Sequence, residues 1–171
     1  QQRALKSIEK TEKVVTLLHG LTGSGKTEVY LNIASRVIEN GGEVIVLVPE
    51  IGLTPQMIER FKGRFGKNVA IIHSKLSSGE RYDEYRKVLN GDVKVVVGVR
   101  SAVFVPFKNL KMIILDESHD SSYEFHDNLK YDTIEVAIHR MKGKGKVLLG
   151  SATPSIESYF YAKKGYYNLC E

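Results

Sequence analysis

The sequence predicts a layered α/β domain built on a mainly parallel central sheet. Three observations carry that prediction: short β-branched runs recur along the 171 residues, helix-length stretches separate them, and a glycine, proline or capping residue marks each change of period. Strands covered by helices on both faces read as continuous apolar runs, as Val44–Val48 and Met112–Leu115 do. Right-handed crossovers then return the chain to a parallel neighbour.

A short helix is expected first, followed by a strand over 14–19. The next helix, over 27–40, repeats Val29, Ile33, Val37 and Ile38 at helical spacing and closes at Gly41. After a strand over 43–49, Thr54 as N-cap and Pro55 at the first helical position open a helix running to 65. A strand over 68–73 precedes a helix over 77–90, where Ser77 and Glu80 have capping-box spacing and Asn90-Gly91 ends the period. Strands over 93–98, 111–116 and 146–151 complete the sheet. Residues 100–109 read as a helical turn and loop, and 119–130 as a polar segment with interspersed aromatics.

Hydrophobic residues at 42% and charged residues at 26% are globular values, which exclude collagen-like, coiled-coil and disordered classes. No apolar run approaches the ~20 residues that span a bilayer, so no membrane partner is expected. A single cysteine, Cys170, points to a reducing, cytoplasmic setting, and no export signal is read at the start, where Gln1 suggests an excised fragment. The 25 Lys+Arg against 20 Asp+Glu give a net charge of +5, which favours an anionic partner without identifying one.

The chemistry begins directly after the first strand. Gly20-Leu21-Thr22-Gly23-Ser24-Gly25-Lys26-Thr27 is a complete GxxxxGK[ST] leading into a helix. Its glycines let successive N–H groups face inward as an anion nest at the positive end of that helix. Lys26 supplies a point charge for the β and γ phosphates of ATP, and the Thr27 hydroxyl a ligand for Mg²⁺. Asp116 and Glu117, at the end of a buried strand, supply the second metal carboxylate and the base that polarises water. Alone, such an acidic pair is more often a helix start or solvated turn, and the intact phosphate loop reverses that balance. Gly150-Ser151-Ala152-Thr153-Pro154 sets two hydroxyls after the last strand, although a Ser/Thr pair before proline also suits a helix cap. Three further strand candidates between Lys26 and Asp116, and no arginine-rich lid, favour a motor-type ATPase over a small-molecule kinase, while a nucleotide-switched binding module stays open as the rival that a response to single-stranded DNA would separate.

Taken together, GLTGSGKTEVYL, LVPEIGLTPQ, GVRSAVFVPF, LDESHD and LGSATPSIES resemble the first RecA-like lobe of superfamily 2 helicases, in particular the primosomal replication-restart helicases. That resemblance implies a RecA-like P-loop domain spanning 1–171, using ATP and Mg²⁺ to move 3′ to 5′ on single-stranded DNA at stalled forks. It implies that Gln1, with Gln2 beside it, reads adenine. It also implies that Pro49, Glu50 and Gln56 in one segment, with Arg100 and Ser101 in another, meet the DNA backbone. His119 would link the nucleotide site to Ser151 and Thr153. Forked DNA, primosome proteins and single-strand-binding protein are the implied partners.

Two departures stand out. Ser118 replaces the glutamate usual at the third position of the acidic box, and Tyr131-Asp132-Thr133 lacks the basic and histidine residues of the family's DNA-sensing aromatic loop. The resemblance also places an amino-terminal DNA-binding region, a zinc-binding insertion and a second lobe with an arginine finger outside this chain. The fragment alone is therefore expected to turn ATP over slowly, the finger being worth ~10³ or more. Lys142, Lys144 and Lys146 are read as a solubilising turn rather than a DNA contact. Tyr159, Tyr161, Tyr166 and Tyr167, on a terminal helix and the run-out after it, are read as packing groups. His73 and His139 are read as structural or solvated, and His19 as a strand-end residue.

Overall fold

The computed structural model describes residues 1–126 and 130–171. Chain order is α1 (Gln2–Lys10), β1 (Val15–His19), α2 (Lys26–Glu39), β2 (Glu43–Leu47), α3 (Pro55–Phe65), β3 (Val69–Ile72), α4 (Ser78–Asn90), β4 (Val95–Gly98), β5 (Leu110–Leu115), β6 (Glu124–Phe125), β7 (Tyr131–Asp132), α5 (Thr133–Met141), β8 (Lys146–Ser151), α6 (Ile156–Lys163) and β9 (Asn168–Cys170). Seven strands form one sheet in the order β3-β4-β2-β5-β8-β1-β9, and every pairing in it is parallel. β6 and β7 make a separate antiparallel pair.

Period-two alternation sorts the strand residues into two cores. Leu17, Ile45, Leu47, Ile113, Leu115, Val147 and Leu149 face a layer containing Tyr123, Ala137, Met141 and Ala162. Leu18, Val44, Val46, Ile114 and Leu148 face Leu5 and Ile8 of α1, Tyr30 and Ile33 of α2 and Phe61 of α3. Both faces are therefore dry, which is why the central strands lack polar alternation.

The expected helix starts form as read. Thr54 Oγ1 accepts the Met57 N–H at 3.2 Å, with Pro55 in the first turn. Ser77 and Glu80 exchange both bonds of a capping box. Glu84, one turn further along α4, accepts the Ile71 N–H of edge strand β3 at 3.0 Å.

Two features lie beyond the sequence expectation. The run-out after α6 returns as β9 beside β1, where the Asn168 amide bonds to Ser7 and Thr16. Three residues with one polar anchor carry too little periodicity to read as a strand. Within 119–130, a 3₁₀ turn (Ser121–Tyr123) and β6 are formed, while 127–129 lie outside the described residues. Lys146, expected in a solubilising turn, instead donates to the Ile8 and Glu9 carbonyls and ties down the end of α1. Tyr167 packs against the core, whereas Tyr166 is exposed.

Candidate active site

The carboxyl ends of β5, β8 and β1 lie side by side, so the segments that leave them share one edge of the sheet. From β1 the chain enters the phosphate loop. Gly23 at φ 79° and Gly25 at φ 90° hold left-handed conformations closed to most side chains, and they curl the loop into the start of α2. Gly20 N–H donates to Ser151 O at 3.1 Å, fastening the mouth of the loop to β8. Gln1 lays its amide against Gly25, where a Cβ would collide with it. The Lys26 ammonium, nearly buried, donates to Gly20 O at 2.9 Å and Leu21 O at 3.3 Å. It stands 3.7 Å from Glu117 Oε1. A cation and the start of α2 thus meet at the phosphate loop.

Asp116 ends β5. Its Oδ1 accepts the Tyr30 O–H at 2.8 Å and the Glu117 N–H at 3.0 Å. Burial lifts this carboxyl above the usual aspartate range, and the Tyr30 hydrogen bond pulls the other way. The Tyr30 phenol, itself buried and facing a carboxylate, is held well above its ordinary value and stays an O–H donor. Glu117 has φ 43°, and among the described residues it is the one non-glycine with positive φ. Such a backbone costs of order 1–3 kcal/mol and turns the side chain away from the strand line toward Lys26.

The third position of the acidic box, Ser118, is buried, and its N–H donates to Gly150 O at 2.9 Å. An unpaired carboxylate buried there would cost far more than a hydroxyl. His119 Nδ1 lies 2.8 Å from Ser151 Oγ and 3.7 Å from Glu117 Oε2, so one imidazole touches both β8 and the acidic box. Ser151 is fully buried and also accepts the Thr153 N–H at 3.0 Å. Thr153 therefore enters this network through its backbone, with its side chain exposed. Behind the box, the Tyr123 hydroxyl lies 2.7 Å from Asp116 O and 3.0 Å from Leu47 O, pinning the ends of β5 and β2. Tyr30 and Tyr123 are the groups that sequence reading missed. A buried tyrosine where phenylalanine would pack equally well was the available signal.

The remaining predicted positions separate. Glu50, Arg100 and Ser101 line one hollow of about 450 Å³ together with Ser74, Arg81 and Ser122. Pro49 is buried and closes a turn through its carbonyl, so it places Glu50 rather than offering a surface of its own. Gln56 is exposed on α3, apart from that hollow. Arg100 is already engaged: its Nη1 donates to Ser122 O at 3.2 Å and Glu124 O at 3.0 Å, and the cation lies 4.3 Å from the Phe125 ring centroid. A hollow of about 670 Å³ between α3 and α4 contains none of these residues.

Among the described residues no cluster of three or more His, Cys, Asp or Glu is arranged around a metal. Asp116, whose Oδ1 takes both protein donors while Oδ2 takes none among the described residues, and Thr27, next to Lys26 at the start of α2, are the hard oxygen donors these motifs supply. That set fits a divalent ion shared with substrate phosphates.

Fold and site together define a layered α/β domain with a phosphate loop at the carboxyl edge of its parallel sheet. The sequence profile of DEAD/DEAH box helicases matches residues 1–159, and the chain belongs to that family. It is 56% identical over 164 residues to Replication restart protein PriA of Bacillus subtilis (strain 168), covering 95% of this chain and 20% of that protein. The protein of the same name from Synechocystis sp. (strain ATCC 27184 / PCC 6803 / Kazusa) is 54% identical over 145 residues, covering 84% of this chain and 17% of the relative. The chain thus spans about a fifth of the length of these relatives. Among solved structures, RecG bound to a three-way DNA junction superposes with a TM-score of 0.71 and 28% identity, over 98% of this chain and 22% of that one. The domain is accordingly a three-layer RecA-like lobe of the helicase type, and the family uses a nucleotide with a divalent metal.

Proposed function

We propose that this chain is the first ATP-binding lobe of a replication-restart DNA helicase. The observation that carries the reading is the convergence of Lys26, Asp116 and Glu117 beside the phosphate loop, in a chain 56% identical to a PriA protein. ATP is the nucleotide, and Thr27 and Asp116 would hold a Mg²⁺ ion, which would supply charge neutralisation for the phosphates. Lys26 exchanges its Gly20 and Leu21 carbonyls for phosphate oxygens, while Thr22, Gly23, Ser24 and Gly25 present their N–H groups. Glu117 takes the proton of the attacking water, and Gln1 approaches the base from beside Gly25. His119, Ser151 and the Thr153 backbone carry the state of that carboxylate to the end of β8.

Glu50, Arg100 and Ser101 face single-stranded DNA, with Pro49 placing Glu50, Gln56 adding a separate contact from α3, and Arg100 held by the β6 segment rather than free. In this reading 1–171 form one domain. The second lobe, the zinc-binding region and the contacts to primosome proteins, single-strand-binding protein and forked DNA belong to the rest of a cytoplasmic full-length protein that moves 3′ to 5′.

Single-stranded DNA added to that protein is expected to raise ATP turnover by about tenfold or more. The effect should weaken steeply with salt because phosphate contacts release counterions. Turnover indifferent to DNA would instead support a nucleotide-switched binding module, and phosphate transfer to a small molecule would support a kinase.

A further inference from the structure

We infer that Tyr30 is a positioning residue that fixes the orientation of the Asp116 carboxylate, and so where its second oxygen is offered to the metal, an assignment that rests on the ATP-site reading above. Tyr30 sits one helical turn after Lys26 on the inward face of α2, with no exposed surface, beside Val29, Ile33 and Ala34. In that apolar layer a phenylalanine would give the same packing. A buried hydroxyl is costly unless it makes a hydrogen bond, and this one makes its bond to Asp116 Oδ1 at 2.8 Å.

A second observation is independent of that bond. β8 carries glycine at position 150, where a Cβ would collide with the Tyr30 hydroxyl. The strand between the phosphate loop and the acidic box is therefore hollowed to admit the hydroxyl. The Glu117 N–H falls on the same oxygen at 3.0 Å, so Oδ1 is occupied from two sides. The Tyr123 hydroxyl holds the Asp116 carbonyl at 2.7 Å, which restrains the main chain behind it. Tilting the carboxylate plane away from this orientation would lengthen or break both bonds to Oδ1. Tyr30 thus keeps Oδ2 available to the metal and its water, the task of an outer partner that orients a ligand without touching the ion.

The test uses the full-length protein. In Tyr30→Phe, Mn²⁺ binding to the nucleotide complex, read by electron paramagnetic resonance, should weaken about tenfold, the lower end of the range for outer partners. The Mg²⁺ concentration for half-maximal turnover should rise by the same factor. Binding of ADP in excess EDTA and the melting temperature should stay at wild-type values. Gly150→Ala should reproduce the Mn²⁺ defect, and adding it to Tyr30→Phe should cost less than adding it to wild type. Unchanged Mn²⁺ affinity in Tyr30→Phe overturns the assignment, and so does an equal loss of metal-free ADP binding. A Lys26→Ala control separates the two readings. If it binds nucleotide as wild type does, the ATP site itself is misplaced, whereas if it loses binding while Tyr30→Phe keeps its metal affinity, only the role of Tyr30 fails.

Discussion

Glu117→Gln in the full-length protein is expected to lower ATP turnover by about 10²–10⁴-fold while leaving nucleotide binding intact, the range that general-base removal commands. The amide keeps the size and the hydrogen-bonding reach of the carboxylate but cannot take up a proton. Glu117 is the group the geometry singles out for that task. Its backbone is forced to φ 43°, its Oε1 stands 3.7 Å from the Lys26 ammonium, and its Oε2 stands 3.7 Å from His119. A glutamine retains the contour of all three relationships, so a change confined to turnover would separate chemistry from folding. Rapid-quench measurement of a single turnover, with fluorescent nucleotide binding in parallel, reads the two quantities separately. Turnover within tenfold of wild type would remove Glu117 from the chemical step.

Lys26→Ala is expected to weaken nucleotide binding by about 10²-fold or more, since charge-assisted hydrogen bonds contribute about 1.5–3 kcal/mol each and the ammonium can make two. The same substitution leaves Gly20 O and Leu21 O without their donor and Glu117 without its nearest cation. The loop consequently loses its brace as well as its charge. Calorimetric titration with ADP and with a non-hydrolysable ATP analogue gives the affinity directly. Lys26→Arg is an informative companion, because it restores charge but brings a planar fork into a space shaped for a point donor. Equal affinity in wild type and Lys26→Ala would refute the phosphate-binding assignment.

The parts of this molecule that were legible in the sequence are those where one residue type answers one local demand. The six buried strands, the Thr54 and Ser77 caps, and the loop from Gly20 to Thr27 belong to that group. So do Asp116 and Glu117, because an acidic pair after a buried strand gains meaning once a phosphate loop lies elsewhere in the chain. What stayed hidden depends on neighbours distant in the chain. Tyr30 and Asp116 are 86 positions apart, and nothing local to either announces the bond between them. Arg100 is expected at the DNA backbone, and its intramolecular partners, the Ser122 and Glu124 carbonyls and the Phe125 ring, stay hidden because they come from a segment with no clear period. Pro49 illustrates the reverse case: a motif match named it as a contact, while burial gives it the work of shaping a turn.

One border of the sheet bears on how copies of this lobe coexist at high concentration. A bare strand margin recruits strands from other molecules, and many proteins defend it with charge. Here the Glu84 carboxylate already occupies the outward amide of Ile71, so a visiting chain seeking register along β3 meets a negative side chain in place of a donor. The cap on that amide is itself held in place, because Glu84 also pairs with the Lys87 ammonium three residues along α4.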